Sequence, residues 1–111
     1  MRVRVLEIIA DGKPGGGSTY LLELLHGLRT RFEFGVATEG DSYLLAETLR
    51  AGFEGFGLRF FGRPPDLSIP WKLRAVVAEF RPDVVHTHGP RAGFLHALAF
   101  VPAPTVYTVH G

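Results

Sequence analysis

A chain of 111 residues, 46% hydrophobic and 21% charged, has the composition of an ordinary soluble globular protein and the length of one domain, 1–111. A formal net charge of +1 argues against broad electrostatic binding of nucleic acid. The absence of cysteine excludes disulfides, thiolate metal sites and thiol catalysis.

The start, Met1-Arg2-Val3-Arg4, is basic, but it leads into a strand-like run holding Glu7 rather than the apolar core of a signal peptide. No apolar run approaches the ~20 residues of a membrane-spanning helix, so the cytoplasm is the expected location. Along the chain, β-branched runs alternate with stretches of helical spacing. Strands are expected at Val3–Ile9, Glu33–Thr38, Gly57–Phe61, Asp83–Thr87 and Thr105–Val109. Helices are expected at Ser18–Thr30, Ser42–Ala51, Pro70–Phe80 and Arg91–Phe100. Leu21, Leu24, Leu25 and Leu28 give the first helix one apolar stripe; Leu73, Val76, Val77 and Phe80 do the same for the third. Ser68 or Ile69 caps ahead of Pro70, and Arg81-Pro82 stops that helix. Gly52 to Ile69, rich in glycine, proline and phenylalanine, is the least regular stretch.

This alternation implies a Rossmann-like three-layer α/β sandwich. Right-handed crossovers select a five-stranded parallel sheet of order 3-2-1-4-5. In such a sheet, ligands bind at the carboxyl ends of strands one and four, where the order reverses. Two unusual segments are expected to meet there. The first is Gly12-Lys13-Pro14-Gly15-Gly16-Gly17-Ser18, running from a strand into a helix. The second is the turn Thr87-His88-Gly89-Pro90-Arg91-Ala92-Gly93. Glycines ahead of a helix bring backbone N–H groups and the positive end of a dipole to one point, which suits an anion such as a diphosphate. The loop is not a Walker A motif, and it lacks the third glycine of the dinucleotide fingerprint; it also fits a plain βα connection.

Among the five histidines, His26 is expected to be solvated and His96 to pack or face solvent. His86 and His88, two apart, point the same way on an extended chain. Such a pair can chelate a metal, but no acidic third ligand lies nearby in sequence, and no metal is expected. His88 is placed in the loop, and His110 just past the fifth strand, over the cleft. Arg91 opens the fourth helix, where a guanidinium suits phosphate or carboxylate. Arg59, Arg63, Lys72 and Arg74, opposed only by Asp66, form a basic stretch. It is either a solvated face or a weak contact for anionic lipid.

Three groups of residues together carry a resemblance. They are Val3-Arg4-Val5-Leu6-Glu7-Ile8-Ile9 with Gly15-Gly16-Gly17-Ser18 and Leu21-Leu22-Glu23-Leu24; Arg81-Pro82-Asp83-Val84-Val85-His86-Thr87-His88-Gly89 with Arg91-Ala92-Gly93; and Val106-Tyr107-Thr108-Val109-His110-Gly111. The chain resembles the N-terminal, acceptor-side domain of retaining GT-B-type glycosyltransferases of the glycogen-synthase-like, family-four group. The resemblance implies a nucleotide-sugar donor whose diphosphate approaches Gly15, Gly16 and Gly17. It also implies that His86, His88 and Gly89 line the acceptor side, and that His110 lies near the transferred sugar. The substrate-binding set is therefore Gly15, Gly16, Gly17, Ser18, His86, His88, Gly89 and Arg91, with His110 the catalytic candidate and no cofactor expected.

Two features depart from the family's pattern. Ser18-Thr19-Tyr20 stands where members usually carry an acidic or bulky polar residue, and the Glu-rich donor motif of the family's C-terminal domain is absent from these residues. The resemblance therefore implies a truncated domain, inactive without a partner donor domain. The alternative is a non-catalytic binding or assembly module of the same fold. A flavodoxin-like domain of the same strand order would carry flavin, and a response-regulator-like one lacks its acidic cluster. The edge Thr105–Val109 is apolar and uncharged, and self-association is expected through it or through the helices beside it.

Overall fold

The computed structural model describes residues 2–99 and 103–108. Its elements in chain order are β1 (Val3–Ile9), α1 (Gly16–Leu28), β2 (Phe32–Glu39), α2 (Tyr43–Arg50), β3 (Glu54–Leu58), α3 (Ile69–Phe80), β4 (Val84–His88), α4 (Gly89–Ala99) and β5 (Thr105–Thr108). The strands form one sheet of order β3-β2-β1-β4-β5, with every pair parallel. This is the expected Rossmann-like sandwich. The expected ends at Phe100 and Val109 lie outside the described residues.

Side-chain alternation along each strand divides the core into two layers. Leu6, Ile8, Ala37 and Val85 pack with Leu73, Val76 and Phe80 of α3 and Ala92 of α4. Ile9, Phe34 and Val36 pack with Leu21 and Leu25 of α1 and Leu44 of α2. The helices thus lie in pairs on opposite faces, as right-handed crossovers require.

At the amino end of the sheet, Arg4 ties β1 to β2, to α3 and to the residue ahead of β4. Its guanidinium donates to the Phe80 carbonyl at 2.7 and 2.9 Å, pairs with Glu33 and sits 4.2 Å above the Phe80 ring centre. Its backbone N–H donates to the Asp83 carboxylate at 2.8 Å.

Several boundaries differ from expectation by a residue or two, and β3 and the starts of α1 and α4 differ at glycines. β3 covers 54–58 rather than 57–61. A Cβ at Gly55 would stand 2.8 Å from Leu45, and one at Gly57 would stand 3.0 Å from it, so these glycines let α2 pack directly on the strand. Phe56 and Leu58 alternate with them and pack into the α3 layer, whereas Phe60 and Phe61 have left the strand. α1 begins two residues early, inside the glycine run. α4 begins at Gly89 with no intervening loop, which places His88 in β4 rather than in a turn. Among the described residues, no helix is long and apolar enough to cross a membrane.

Candidate functional site

A cleft of about 570 Å³ opens at the carboxyl ends of β1 and β4, where the strand order reverses. Its walls are Ile9 to Asp11 at the end of β1, Lys13 to Ser18 in the turn and first helical turn of α1, His88 to Arg91 across the β4–α4 junction, and Phe61 from the segment after β3.

Two helix N-termini face this space. In α1 the first helical bond runs from the Thr19 N–H to the Gly15 carbonyl at 2.9 Å, so the N–H groups of Gly16, Gly17 and Ser18 lie ahead of the ladder. Neither α1 nor α4 has an acidic residue in its first turn, so neither helix neutralises its own positive dipole end. The turn is held from below: the Ser18 hydroxyl donates to the Lys13 carbonyl at 2.7 Å, and the Lys13 N–H donates to the Asp11 carboxylate at 3.0 Å. A Cβ at Gly12 would stand 2.4 Å from Ser42 Oγ, and the Gly12 carbonyl accepts from the Leu44 N–H at 2.9 Å. The turn is thereby clamped against the start of α2.

The three glycines at the tip differ from one another. Gly15 has φ 155° and ψ −171°, a conformation essentially reserved for glycine. Gly16 and Gly17 are helical, and an added Cβ would meet nothing within 4 Å at Gly16 and only Ile9 Cδ1 at 3.6 Å at Gly17. The protein's own packing therefore does not require glycine at 16 or 17, although glycine costs a helix roughly 0.5–1 kcal/mol relative to alanine.

Beneath the cleft lies a buried cluster. β1 and β4 pair in register with Glu7 opposite His86 and Ile9 opposite His88, which puts Glu7, His86 and His88 on one face. Glu7 Oε1 accepts from His86 Nδ1 at 2.9 Å and from His88 Nε2 at 2.6 Å, and the imidazole centres are 4.1 Å apart. Glu7 is 1% exposed and His88 3%. Burial alone pushes the Glu7 carboxyl up; the hydrogen bonds and charges of the two histidines outweigh it, and the net shift is downward. The cluster fixes the orientation of His88, whose ring forms part of the cleft floor. Its three donor groups lie within 4.8 Å of one another, a grouping that could hold a metal ion, although only His88 of the three lines the cleft. The acidic third group that seemed missing from the neighbourhood of His86 and His88 thus comes from the adjacent strand. The signal in the sequence was a carboxylate inside the apolar run Val3–Ile9, since a buried acid needs a partner.

Of the residues singled out from sequence, Gly15, Gly16, Gly17, Ser18, His88, Gly89 and Arg91 meet at the cleft. His86 does not line it, and its ring pairs with Glu7 one step deeper. Gly89, with φ 81°, makes the one-residue passage from strand to helix. Arg91 donates to the Phe60 carbonyl at 3.3 Å and stacks 4.6 Å above the Phe61 ring centre, which holds its charge at the rim. His96 Nε2 lies 3.2 Å from Thr105 Oγ1, and burial lowers its pKa. His26 is exposed, with its ring edge-on to Phe53. His110 lies outside the described residues.

Residues 14–111 match the family described as Glycosyltransferase Family 4. The chain is similar in structure to MurG of Acinetobacter baumannii, with TM-score 0.71, 11% identity and coverage of 96% of this chain and 35% of that one. It is also similar to the UDP-GlcNAc 2-epimerase of Neisseria meningitidis, solved with UDP-GlcNAc bound, with TM-score 0.68, 17% identity and coverage of 95% and 31%. Glycinamide ribonucleotide transformylase 1 of Symbiobacterium toebii matches with TM-score 0.57, 19% identity and coverage of 78% and 41%. At these identities the likeness is one of fold. The chain spans about a third of the length of the first two. No curated protein matches it significantly.

Proposed function

From the premise that the chain belongs to glycosyltransferase family 4, we propose that its cleft is the acceptor-side half of a sugar-transfer site and receives the diphosphate of a nucleotide-sugar donor. The observation that carries this is the pair Gly16 and Gly17. At a helix N-terminus, Gly16 faces open space and a Cβ at Gly17 would make only an ordinary contact with Ile9, so the fold itself has no use for the missing side chains. A ligand that comes against the backbone does have one, because a Cβ would hold its phosphates away from the N–H groups. The epimerase of the same fold holds UDP-GlcNAc, a ligand of the class proposed here.

In this reading, the amides of Gly16, Gly17 and Ser18 stabilise the negative charge that grows on the leaving diphosphate. Arg91 supplies a fixed guanidinium at the rim, and His88 and Gly89 face the acceptor. His110 is proposed to lie by the transferred sugar, as the family resemblance implies. The donor's base and most of its sugar are proposed to be held by a second, donor-binding domain, so that transfer needs both halves.

Gly16→Ala and Gly17→Ala separate a ligand role from a fold role. Each variant is expected to keep or raise the unfolding midpoint, since alanine is the better helix former. Each is also expected to weaken binding of UDP by about tenfold or more, as measured by calorimetry. Unchanged UDP affinity in both variants would refute the assignment.

A further inference from the structure

Three donors of metal-binding type converge beneath the cleft. On an extended chain, residues two apart project from one face, so His86 and His88 of β4 stand side by side. The parallel register sets Glu7 of β1 opposite His86. His86 Nδ1 and His88 Nε2 both meet one carboxylate oxygen, at 2.9 and 2.6 Å, and the three donor groups lie within 4.8 Å of one another. They stand on two adjacent strands inside the sheet, not on loops, so the backbone holds them in place before any ligand arrives.

The charge balance points the same way. Glu7 is 1% exposed, and the net shift of its carboxyl is downward, so it is ionised at neutral pH. Among the described residues its ion-pair partners are the two imidazoles, with no lysine or arginine within reach. A buried carboxylate of this kind is paired or coordinates a metal.

We propose that Glu7, His86 and His88 form a binding site for one divalent ion of the zinc class. Two imidazoles and one carboxylate are a donor set that zinc takes, with a water completing the tetrahedron. Two nitrogens among three donors disfavour magnesium and calcium, which take oxygen. Zinc bonds of about 2.0–2.2 Å space tetrahedral donors about 3.3 Å apart. The imidazoles therefore withdraw from Glu7 by roughly half an ångström, a small side-chain rotation. The ion enters from the His86 side: that side chain is 18% exposed, and Val106, its neighbour on the same face, is 53% exposed. Because His88 is part of the cleft floor, the ion fixes that floor from below. The inference does not rest on sugar transfer.

Binding exchanges protons within the rings. To donate to Glu7, His86 carries its proton on Nδ1 and His88 on Nε2. The metal takes the lone pair of those same nitrogens, so each proton passes through solvent to the other nitrogen of its ring. Two N–H···O bonds break, three bonds to the ion form, and each ring stays neutral.

The chain, freed of metal with a chelator, is titrated with Zn2+ by calorimetry. One ion per chain is expected to bind at micromolar concentration or below and to raise the unfolding midpoint, since the unfolded chain lacks the site. The absence of cysteine removes thiolates as competing ligands, and excess Mg2+ should not displace the zinc. Nitrogen-15 spectra of the histidine rings should show zinc exchanging the tautomers of His86 and His88 together and leaving His26 unchanged. Glu7→Gln keeps an oxygen acceptor for both rings but loses the charge. It is expected to weaken Zn2+ binding by about a hundredfold or more, above the range for removing a group that only supports a ligand. His86→Ala should do the same, and His26→Ala should change nothing. No Zn2+ binding by the parent would overturn the proposal, as would parent-like affinity in both Glu7→Gln and His86→Ala. Zinc-induced changes confined to rings other than His86 and His88 would also overturn it, and this readout decides the matter where a variant fails to fold.

Discussion

Glu7→Ala is expected to cost about 3–5 kcal/mol of stability at neutral pH, the range for removing one partner of a buried charged pair. The carboxylate sits in the middle strand of the sheet and takes hydrogen bonds from two imidazoles at 2.6 and 2.9 Å. Truncation takes that acceptor from both rings and leaves a void. Against a typical total of about 5–15 kcal/mol, this is a large share. The pH dependence follows from the lowered carboxyl. A group whose folded pKa is depressed contributes stability above its ordinary value and loses that contribution as pH falls through the folded value. The gap between parent and variant should therefore be full at about pH 7 and narrow below about pH 4. His96, also depressed, adds acid sensitivity of the same sign to both proteins below its ordinary pKa. Urea unfolding at a series of pH values measures the gap. A cost under about 1 kcal/mol, or a gap that widens on acidification, would contradict the role given to Glu7.

The second large effect lies at the opposite end of the sheet. Phe80→Ala is expected to cost about 3–5 kcal/mol. The ring is 1% exposed, meets Phe56 edge-on with centres 6.2 Å apart, and carries the Arg4 guanidinium on its face. It also occupies the space left by Gly35, where an added Cβ would approach it to 2.8 Å. The void after truncation cannot be filled from Gly35, which has no side chain, and Arg4 loses its support. The shift in urea midpoint at constant slope gives the cost. A loss below about 2 kcal/mol would mean that the site collapses around the void.

The strand order was legible because two facts sufficed: β-branched runs alternating with leucine stripes, and the handedness of crossovers. The same order located the cleft, since it made the segments after β1 and β4 neighbours. What misled was glycine. Gly15-Gly16-Gly17 and Gly89-Pro90 have the composition of loops, yet Gly16, Gly17, Gly89 and Pro90 are the first turns of α1 and α4. Gly55 fell outside the expected strand, yet it and Gly57 are strand positions emptied so that Leu45 and Leu49 can approach. Composition does not distinguish a glycine that bends the chain from one that makes room.

The Glu7 cluster was hidden for a different reason. Its members are 79 and 81 residues apart in sequence, and only the β1–β4 register places Glu7 against the histidines. Once β1 and β4 are known neighbours, a buried acid in one and two histidines in the other are the natural pairing.

The most direct measurement is a titration of the isotope-labelled chain with UDP, followed through backbone amide resonances. The largest shifts should fall on Gly16, Gly17 and Ser18, with smaller ones at Gly89 and Arg91, and they should saturate together at millimolar concentration or below. Shifts confined to other parts of the surface, or none at these amides, would contradict a diphosphate site at the start of α1.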